Sequence, residues 1–304
     1  MSQTVFITGA NSGIGLATTK AFLSNGWNVV GTARKPAAAE ELQQLARDSD
    51  GKLLIVQLDL TAEATFQPAL DAAVAQFDKV DVLVNNAGYG HFGVMEAQTV
   101  DDYRRQFEVN VFGPIGLTKL FVPHFRATRD AHSPATVIYV SSGAAHFGLP
   151  LFSPYMASKA ALNLFAETVS YELAQLSPPV TVKIVVPHGG VQSTNFLKTA
   201  QVASDFREDA EGKAKRAATE KLYGAYAAKV LTVFGGMAGA SMAVEEPAMK
   251  IYEAVTDGTN KLRYFISGKD GGRDLRARMS GMREGEDLDA ADDRYMSSMR
   301  GQFP

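Results

Sequence analysis

The chain has 304 residues, 46% of them hydrophobic, and its 30 basic and 33 acidic residues leave a formal net charge of -3. This balance offers no excess of cations for nucleic acid or an anionic membrane, and no segment reaches the ~18 apolar residues of a membrane span. The lack of cysteine excludes disulfides and thiolate chemistry. Because Met1 leads directly into a predicted strand and not into a signal peptide, we expect a cytoplasmic protein.

Seven short apolar segments predict β-strands. Most are continuously apolar and do not alternate, which is typical of parallel strands covered on both faces. The predicted strands are residues 4–8, 27–32, 52–58, 80–85, 136–141, 181–186 and 262–266. Helical patterns separate these strands. The sequence therefore predicts an α/β fold with a doubly wound, Rossmann-type parallel sheet in a single domain.

The first three helices carry readable start and stop signals. The first is expected to begin in a glycine-rich turn and to end at Asn25-Gly26, a common helix stop. The second starts at Pro36. A third, around residues 61–77, contains Pro68, which predicts either a late start or a kink.

The next two helices lie on either side of the fifth strand. The fourth runs from residue 101 to about residue 125, and Gly113-Pro114 predicts a bend inside it. For the fifth, Ser153 is the predicted N-cap and Pro154 the first helical residue.

Two regions interrupt the alternation of strands and helices. Residues 187–245 form a long connection rich in aromatic and aliphatic side chains, and we expect a substrate lid at about residues 190–245. Within it, the charged run at 213–221 is predicted to be a solvated face of a lid helix. Apolar residues at helical spacing in the tail, residues 267–304, predict a C-terminal amphipathic helix.

The stretch TGANSGIG, at positions 8–15, follows the first strand and opens the first helix. In that context backbone amides at a helix N-terminus can cradle a pyrophosphate, although a merely tight turn would have the same composition. A phosphate-binding P-loop is excluded because no Gly-Lys-Ser/Thr follows.

The spacing Gly9-x3-Gly13-x-Gly15 resembles the TGxxxGxG pattern of the short-chain dehydrogenase/reductase family, in its non-extended branch. The resemblance covers residues 4 to about 266. Further motifs of that family follow in order along the chain, and they are Asp59, NNAG at 85–88, Asn110, Ser142 and YMASK at 155–159. The resemblance implies an oxidoreductase that uses a nicotinamide cofactor.

The resemblance also implies which residues hold the cofactor. The glycines would make room for its adenosine pyrophosphate, Asp59 would accept from the adenine amino group, and Asn86 would lie near the adenine ribose. The positions implied to contact the cofactor are Gly9, Asn11, Ser12, Gly13, Ile14, Gly15, Arg34, Asp59, Leu60, Asn86, Ala87, Gly88, Tyr155, Lys159, Pro187, Val191 and Ser193.

One motif departs from the family pattern. Where the family has Pro-Gly-x-Val-x-Thr after the sixth strand, this chain has PHGGVQST, as if His188 were inserted. Pro187 and Val191 still correspond to the pattern. Whether Ser193 or Thr194 meets the carboxamide of the cofactor stays open.

The end of the second strand favours NADP(H) over NAD(H). NAD-dependent relatives of this fold place there a carboxylate that binds both ribose hydroxyls and repels a 2'-phosphate. Here Ala33 occupies that position, and Arg34 and Lys35 follow. A guanidinium can grip a phosphate through paired hydrogen bonds. Ser12 argues in the opposite direction, because many NADP-dependent relatives have a cation at that position.

Tyr155 and Lys159 are four residues apart on a predicted helix and so share a face. A nearby ammonium favours the phenolate and is expected to lower the pKa of the tyrosine from about 10. Tyr155 would then serve as general acid or base toward a carbonyl or alcohol. Ser142 is expected to hydrogen-bond the substrate oxygen, with Ser141 as its rival.

Asn110 allows two interpretations. An asparagine in a helix can simply satisfy the backbone at a kink near Gly113-Pro114. The family resemblance implies instead that Asn110 holds a water that links Lys159 to solvent.

Three histidines, His91, His146 and His188, follow predicted strand ends around the expected pocket. Metal binding needs converging ligands, and their separate loops give no such evidence, so no metal site is predicted. Contact with substrate is the alternative for these side chains.

The leading hypothesis is an oxidoreductase that transfers a hydride between NADP(H) and a fairly apolar ketone, aldehyde or secondary alcohol. The alternatives are an NAD-dependent alcohol dehydrogenase of the same family and a non-catalytic cofactor sensor on the same fold. A sugar-nucleotide epimerase is disfavoured by the glycine spacing, and an enoyl reductase by the tyrosine–lysine spacing. We expect no nucleic-acid or membrane partner, and a homo-oligomer, either a dimer or a tetramer.

Overall fold

The computed structural model describes residues 2–128, 135–188, 190–191, 201–202, 210–237 and 241–267. The strands in these ranges are β1 (Thr4–Ile7), β2 (Asn28–Ala33), β3 (Leu53–Gln57), β4 (Val82–Asn85), β5 (His91–Phe92), β6 (Ala135–Val140), β7 (Val180–His188), β8 (Gln201–Val202) and β9 (Arg263–Ser267). The helices are α1 (Gly13–Ser24), α2 (Glu40–Arg47), α3 (Phe66–Phe77), α4 (Val100–Phe107), α5 (Gly113–Thr128), α6 (Ser153–Leu173), α7 (Ala210–Met237) and α8 (Glu245–Thr256).

Seven strands form one parallel sheet in the order β3-β2-β1-β4-β6-β7-β9. Each of the seven predicted strands corresponds to one of them, so the predicted doubly wound α/β fold is confirmed. The chain adds β2 and β3 on one side of β1 and then returns to place β4 on the other side. This reversal makes the carboxyl ends of β1 and β4 the topological switch point, where such sheets bind ligands.

The sheet carries an apolar layer on each face. One layer packs β-strand side chains such as Phe6 and Tyr139 against α3, α5 and α6, with Phe121 and Phe125 fully buried. The other packs the neighbouring side chain Ile7 against α1, α2 and α8. Because adjacent residues of a strand point to opposite faces, both layers need the continuously apolar strands that the sequence shows.

A second, two-stranded sheet joins β5 to β8, with His91 beside Gln201 and Phe92 beside Val202. This sheet was not predicted, because two residues per strand are too few for a periodic signal. It attaches part of the predicted lid region to the loop after β4.

The first helices end and begin close to the predicted positions. Helix α1 ends at Ser24, with Gly26 in the left-handed region at φ 82°. Pro36 opens a short 3-10 turn before α2. Helix α3 begins at Phe66, so Pro68 lies in its first turn and the late start is right.

The fourth predicted helix is interrupted before Gly113-Pro114 and not at it. A π-helical turn, Glu108–Phe112, lies between α4 and α5. Gly113 itself is required by packing, because a Cβ there would lie 2.6 Å from the Leu60 Cβ. The π turn places Asn110 on its inner side, buried.

The start of α6 lies one residue earlier than predicted. Phe152 is the N-cap, and Ser153 is already helical. The Ser153 hydroxyl bonds the Gln98 Oε1 at 3.2 Å and the Tyr103 hydroxyl at 2.7 Å, and it does not cap the helix. The prediction of Ser153 as N-cap was therefore wrong.

Helix α7 covers the charged run at 213–221, whose side chains are exposed apart from Thr219, as predicted. None of the helices in the described ranges is long and apolar enough to span a bilayer. The predicted tail helix falls on residues 268–304, outside the described residues.

Candidate active site

The glycine turn at the end of β1 packs against the end of β4. A Cβ on Gly15 would lie 2.2 Å from the Gly9 carbonyl oxygen and 2.5 Å from the Asn86 Nδ2. Gly9 has φ 65°, and a Cβ there would lie 3.0 Å from the Ala87 Cβ. The protein's own atoms therefore require these two glycines. That they also make room for the cofactor stays a prediction.

Hydrogen bonds join the two strand ends. The Thr8 hydroxyl accepts from the backbone amides of Asn86 and Ala87, both at 2.9 Å. The Asn86 side-chain amide donates to the carbonyls of Thr8 at 2.8 Å and Gly9 at 3.3 Å. Asn86 thus holds the glycine turn in place, which the sequence did not reveal, and Thr8 was not singled out although it precedes Gly9.

The N-terminus of α1 suits an anion. Its N-cap, Ser12, makes no side-chain capping bond, and the first turn contains no acidic residue. The first amides of a helix lack partners within the helix and carry partial positive charge. Gly13, with φ 53°, begins this helix. These features fit the pyrophosphate of a dinucleotide.

The side chains beyond β2 and β3 lie along the same edge of the sheet. Ala33 ends β2 and is buried, whereas Arg34 and Lys35 are exposed. Within the described residues neither cation forms an ion pair. After β3, the Asp59 Oδ1 accepts from the amide and hydroxyl of Thr61 at 2.9 and 2.8 Å.

Lys159 is buried in α6 with its ammonium against the sheet. Its side chain is 6% exposed, and Nζ donates to the carbonyl oxygen of Val140, the last residue of β6, at 2.9 Å. It forms no ion pair within the described residues. Burial lowers the pKa of Lys159 to about 8.

Tyr155 lies one helical turn before Lys159, with the Lys159 Nζ 5.9 Å from the centre of its ring. Its hydroxyl is hydrogen-bonded to the Ser142 side chain. The Ser142 hydroxyl also accepts from the Ala144 amide at 3.2 Å. Ser141 is buried, and its hydroxyl makes no bond within the described residues. The geometry therefore joins Ser142, and not Ser141, to Tyr155.

The pKa of Tyr155 differs from the sequence-based expectation. Burial raises this pKa to about 12, and the Ser142 hydrogen bond opposes the rise only in part. The Lys159 ammonium bonds a backbone carbonyl, and its 5.9 Å separation from the ring does not reverse the effect of burial. In the polypeptide alone Tyr155 is thus a neutral phenol at pH 7, the form of a proton donor.

Asn110 connects the π turn to the loop after β4. Its Nδ2 donates to the Tyr89 carbonyl and the Ser158 hydroxyl, both at 3.1 Å, and its Oδ1 accepts from the Tyr89 amide at 3.2 Å. A Cβ on Gly88 would lie 3.1 Å from the Asn110 Oδ1 and 3.7 Å from the Lys159 Nζ. Asn110 thus satisfies backbone groups and also lies near Lys159. The water relay stays a prediction.

An apolar wall adjoins Tyr155. The Phe152 ring packs edge-on against Phe92, Phe234 and Tyr155, with ring centres 5.1, 5.6 and 6.3 Å away. Phe234 belongs to α7, which also buries Val230 in this cluster. Helix α7 therefore packs against the aromatic residues beside Tyr155.

The three histidines do not converge. His91 is buried, with its Nε2 3.8 Å from the Asp102 carboxylate, and burial lowers its pKa. The His146 Nε2 contacts the Asn163 Nδ2 at 3.1 Å. His188 packs beside Phe147. Within the described ranges no group of three or more potential ligands could hold a metal ion.

The remaining implied cofactor residues lie along the same edge or outside the described ranges. Pro187 pairs with Ile266 near the end of β7, and Val191 forms a parallel bridge with Met242. Asn11 is exposed in the glycine turn, and Ile14 is half-buried. Ser193, like Thr194, lies outside the described residues.

Comparisons with known proteins agree with this geometry. A family model described as short chain dehydrogenase matches residues 3–204. The chain is 36% identical over 197 residues to the uncharacterized oxidoreductase YusZ of Bacillus subtilis, covering 64% of this chain and 66% of that protein. It is 28% identical over 269 residues to an NADPH-dependent 3-dehydrocapnine reductase of Ornithobacterium rhinotracheale, covering 86% and 87% of the two proteins. The chain thus spans about two thirds of YusZ and most of the second relative.

A solved structure supports the same relationship over nearly the whole chain. A short-chain dehydrogenase from Streptomyces avermitilis superposes with a TM-score of 0.74 at 26% identity, covering 99% of this chain and 98% of that one. Both the matched sequence and the sheet order fit the motifs found at the strand ends. The chain belongs to the short-chain dehydrogenase/reductase family of oxidoreductases.

Proposed function

We propose that the protein is an NADP(H)-dependent oxidoreductase that reduces fairly apolar ketones or aldehydes, or oxidises the corresponding secondary alcohols. The observation that carries this proposal is the hydrogen bond between the Tyr155 and Ser142 hydroxyls beside the buried ammonium of Lys159. The three side chains lie at the carboxyl edge of the sheet, next to the switch point. The relative named as an NADPH-dependent reductase supports the cofactor and the direction.

The residues at the switch point fit a nicotinamide cofactor. The uncapped start of α1 offers amides to its pyrophosphate, and Arg34 offers a cation to a 2'-phosphate. When bound, the cofactor supplies or accepts a hydride at the substrate carbon. Lys159, near Gly88 at the end of β4, would donate to the cofactor ribose.

In carbonyl reduction, Tyr155 donates its proton to the substrate oxygen. The raised pKa keeps the phenol protonated at neutral pH, so the donor is in the required form. Ser142 donates a hydrogen bond to the same oxygen and stabilises the charge that develops on it. The Lys159 ammonium favours the phenolate left behind. Alcohol oxidation uses the same groups in reverse.

The wall next to Tyr155 favours an apolar substrate. The aromatic side chains of Phe92, Phe152 and Phe234 carry no hydrogen-bonding group, and the edge of Phe152 faces Tyr155. A charged substituent at this wall would lose hydration without gaining a partner. Pockets lined in this way hold apolar ligands and use a few polar groups to orient them.

The decisive experiment combines a carbonyl panel with Tyr155→Phe. We expect NADPH consumption with apolar ketones, and a loss of at least about a hundredfold in turnover in the variant, the lower end of what acid–base groups contribute. NADPH affinity, followed by cofactor fluorescence, should persist. Near-wild-type turnover in Tyr155→Phe would rule out the mechanism, and a cofactor that binds without turnover of any carbonyl or alcohol would favour the non-catalytic sensor.

Two substitutions on α7 test the substrate wall. Phe234 packs into the aromatic cluster, whereas Leu231 is 51% exposed on the same helix and serves as the matched control. We expect Phe234→Ala to raise KM for apolar ketones about 5- to 30-fold, since loss of apolar contact is worth about 1–2 kcal/mol. Leu231→Ala should leave KM unchanged. Equal effects of the two substitutions, or a preference for small charged hydroxy acids, would refute the apolar wall.

Cytoplasmic location and homo-oligomer formation, as a dimer or tetramer, belong to this proposal. Leu164 and Tyr171 on α6 are each 66% exposed and lie seven residues apart, hence on one helix face. Such an apolar surface suits contact with a second copy of the chain.

A further inference from the structure

His188 marks the place where this chain departs from the family pattern, and it packs directly on the turn that follows Ser142. A Cβ on Gly143 would lie 2.2 Å from the His188 Nδ1, 2.9 Å from its Cγ and 3.0 Å from its Cβ. The imidazole therefore occupies the space that a side chain at position 143 would need.

Backbone conformation gives no other reason for glycine at this position. Gly143 is absent from the glycines with positive φ, so an alanine would adopt its backbone angles. Gly143 opens the 3-10 turn Gly143–Ala145. The contact with His188 alone excludes a side chain there.

The same ring also contacts the far end of the turn. His188 and Phe147 pack edge to face, with ring centres 5.4 Å apart and planes at 89°. Phe147 in turn packs against the cluster of Phe152 and Met156 beside Tyr155. The imidazole is thus held between the first residue after Ser142 and the apolar wall of the site.

We infer that His188 is a positioning residue for Ser142, whose imidazole fixes the turn 142–147 and so the direction of the Ser142 hydroxyl toward Tyr155. It acts through the turn and does not itself react. This inference rests on the proposed function, because its catalytic readout is carbonyl reduction. The chain can host a histidine after Pro187 because Gly143 leaves it the room.

A double-mutant cycle tests the inference. His188→Ala should lower kcat for ketone reduction at least about tenfold, short of the ~10²–10³-fold that loss of a whole oxyanion donor costs. The KM for NADPH should stay within about twofold, because the change affects the transition state. Gly143→Ala should cause a similar loss by displacing the ring. In the His188→Ala background, Gly143→Ala should cost much less than it does in the wild type, since the ring atoms 2.2 and 2.9 Å away are gone and only the Cβ of residue 188, 3.0 Å away, remains.

Controls separate this coupling from general damage. Gly148 lies in the segment that follows this turn, and a Cβ added there would have no atom within 4 Å. Gly148→Ala should therefore leave kcat unchanged. In alcohol oxidation, the pH of half-maximal rate should rise in His188→Ala, because a misdirected Ser142 stabilises the phenolate less. Unfolding temperatures of every variant identify any loss of folded protein, and His188→Ala introduces no clash if Gly143→Ala fails to fold.

The outcomes are distinct. If both single substitutions leave kcat unchanged, if their effects multiply independently, or if only the KM for NADPH changes, the positioning role is overturned while the proposed function stands. If the wild-type protein reduces no carbonyl and oxidises no alcohol, the proposed function fails and this inference fails with it.

Discussion

Among the residues that the structure describes, two lysines are buried, at opposite edges of the same sheet and in opposite electrostatic settings. Lys183, on β7, is 2% exposed and donates to the Asp257 carboxylate at 2.7 Å and to the carbonyl of Ala254 in the last turn of α8. Lys159 is 6% exposed and donates to one backbone carbonyl, with no carboxylate partner in the described residues. The Lys183 ammonium is thus compensated by a carboxylate, whereas the Lys159 ammonium has no carboxylate partner among the described residues.

The compensated lysine belongs to a closed structural network. Asp257 also accepts from the Tyr264 hydroxyl and from Thr259, and these hydrogen bonds outweigh burial and hold its pKa well below the usual range. The cation lies at a helix C-terminus, where the dipole favours it. Lys159 has none of this support. A buried ammonium without a carboxylate partner is costly, and this cost agrees with the cofactor contact proposed for Lys159.

The largest expected effect is that the same substitution changes the stability of the protein in opposite directions at the two lysines. Lys159→Met should lower turnover by at least about a hundredfold and yet raise stability by about 2 kcal/mol. The lowering of the Lys159 pKa from 10.5 to about 8 corresponds to roughly 3 kcal/mol, and the lost hydrogen bond offsets about 1. Lys183→Met should lower stability by about 2 kcal/mol, because it removes the charge-assisted hydrogen bond to Asp257, while turnover per folded molecule stays near wild type. Urea unfolding and ketone reduction measure both quantities.

The contrast between a structural Lys183 and a functional Lys159 would be contradicted if the two variants changed stability in the same direction. It would also be contradicted if Lys183→Met reduced turnover as much as Lys159→Met. Lys159→Arg keeps the positive charge but places it in a larger group. This variant therefore separates the contribution of the charge from that of the lysine's shape.

A smaller effect is expected at Arg34, the exposed cation that also lacks an ion pair in the described ranges. A hydrogen bond to a charged group is worth about 1.5–3 kcal/mol, so Arg34→Ala should weaken NADPH binding roughly 10- to 150-fold. NADH, which lacks the 2'-phosphate, should bind almost as before. Titration of both cofactors into both proteins measures the difference, and parallel losses would show that Arg34 does not read the phosphate.

The smallest effect concerns pH. Lys159 is charged below its pKa of about 8 and Tyr155 stays protonated up to about 12, so ketone reduction should decline as pH rises through about 8. Because the folded-state pKa of Lys159 lies below its ordinary 10.5, wild-type stability should rise with pH between about 8 and 10.5. This rise should vanish in Lys159→Met. A reduction rate independent of pH across this window would contradict the role of the ammonium.

The features that sequence patterns predicted are those that depend on neighbours in the chain. The apolar runs of the seven strands, the glycine turn and the four-residue spacing of Tyr155 and Lys159 all repeat or cluster locally. Parallel strands then bring Ser142 and Tyr155 to one edge whatever the details of packing. The site could therefore be located before its geometry was known.

The features that the sequence patterns did not predict depend on contacts between segments that are distant along the chain. The hydrogen bonds of Lys183 with Asp257, the fit of His188 beside Gly143 and the requirement for Gly15 each join residues from separate elements. The sign of the Tyr155 pKa shift was missed for the same reason, because desolvation depends on the surrounding atoms and not on the lysine four residues away. Helical spacing also could not place the π turn around Asn110.

The tight contact at Gly15 has a consequence for the kinetics and thermodynamics of cofactor capture. Because the turn is fixed by Gly9, Thr8 and Asn86, its conformational entropy is lost when the chain folds and not when a ligand arrives. A binding loop that is ordered in advance retains more of its interaction energy as affinity. A larger residue at position 15 would therefore first loosen the joint between two strands, and weaker cofactor binding would follow from that disorder.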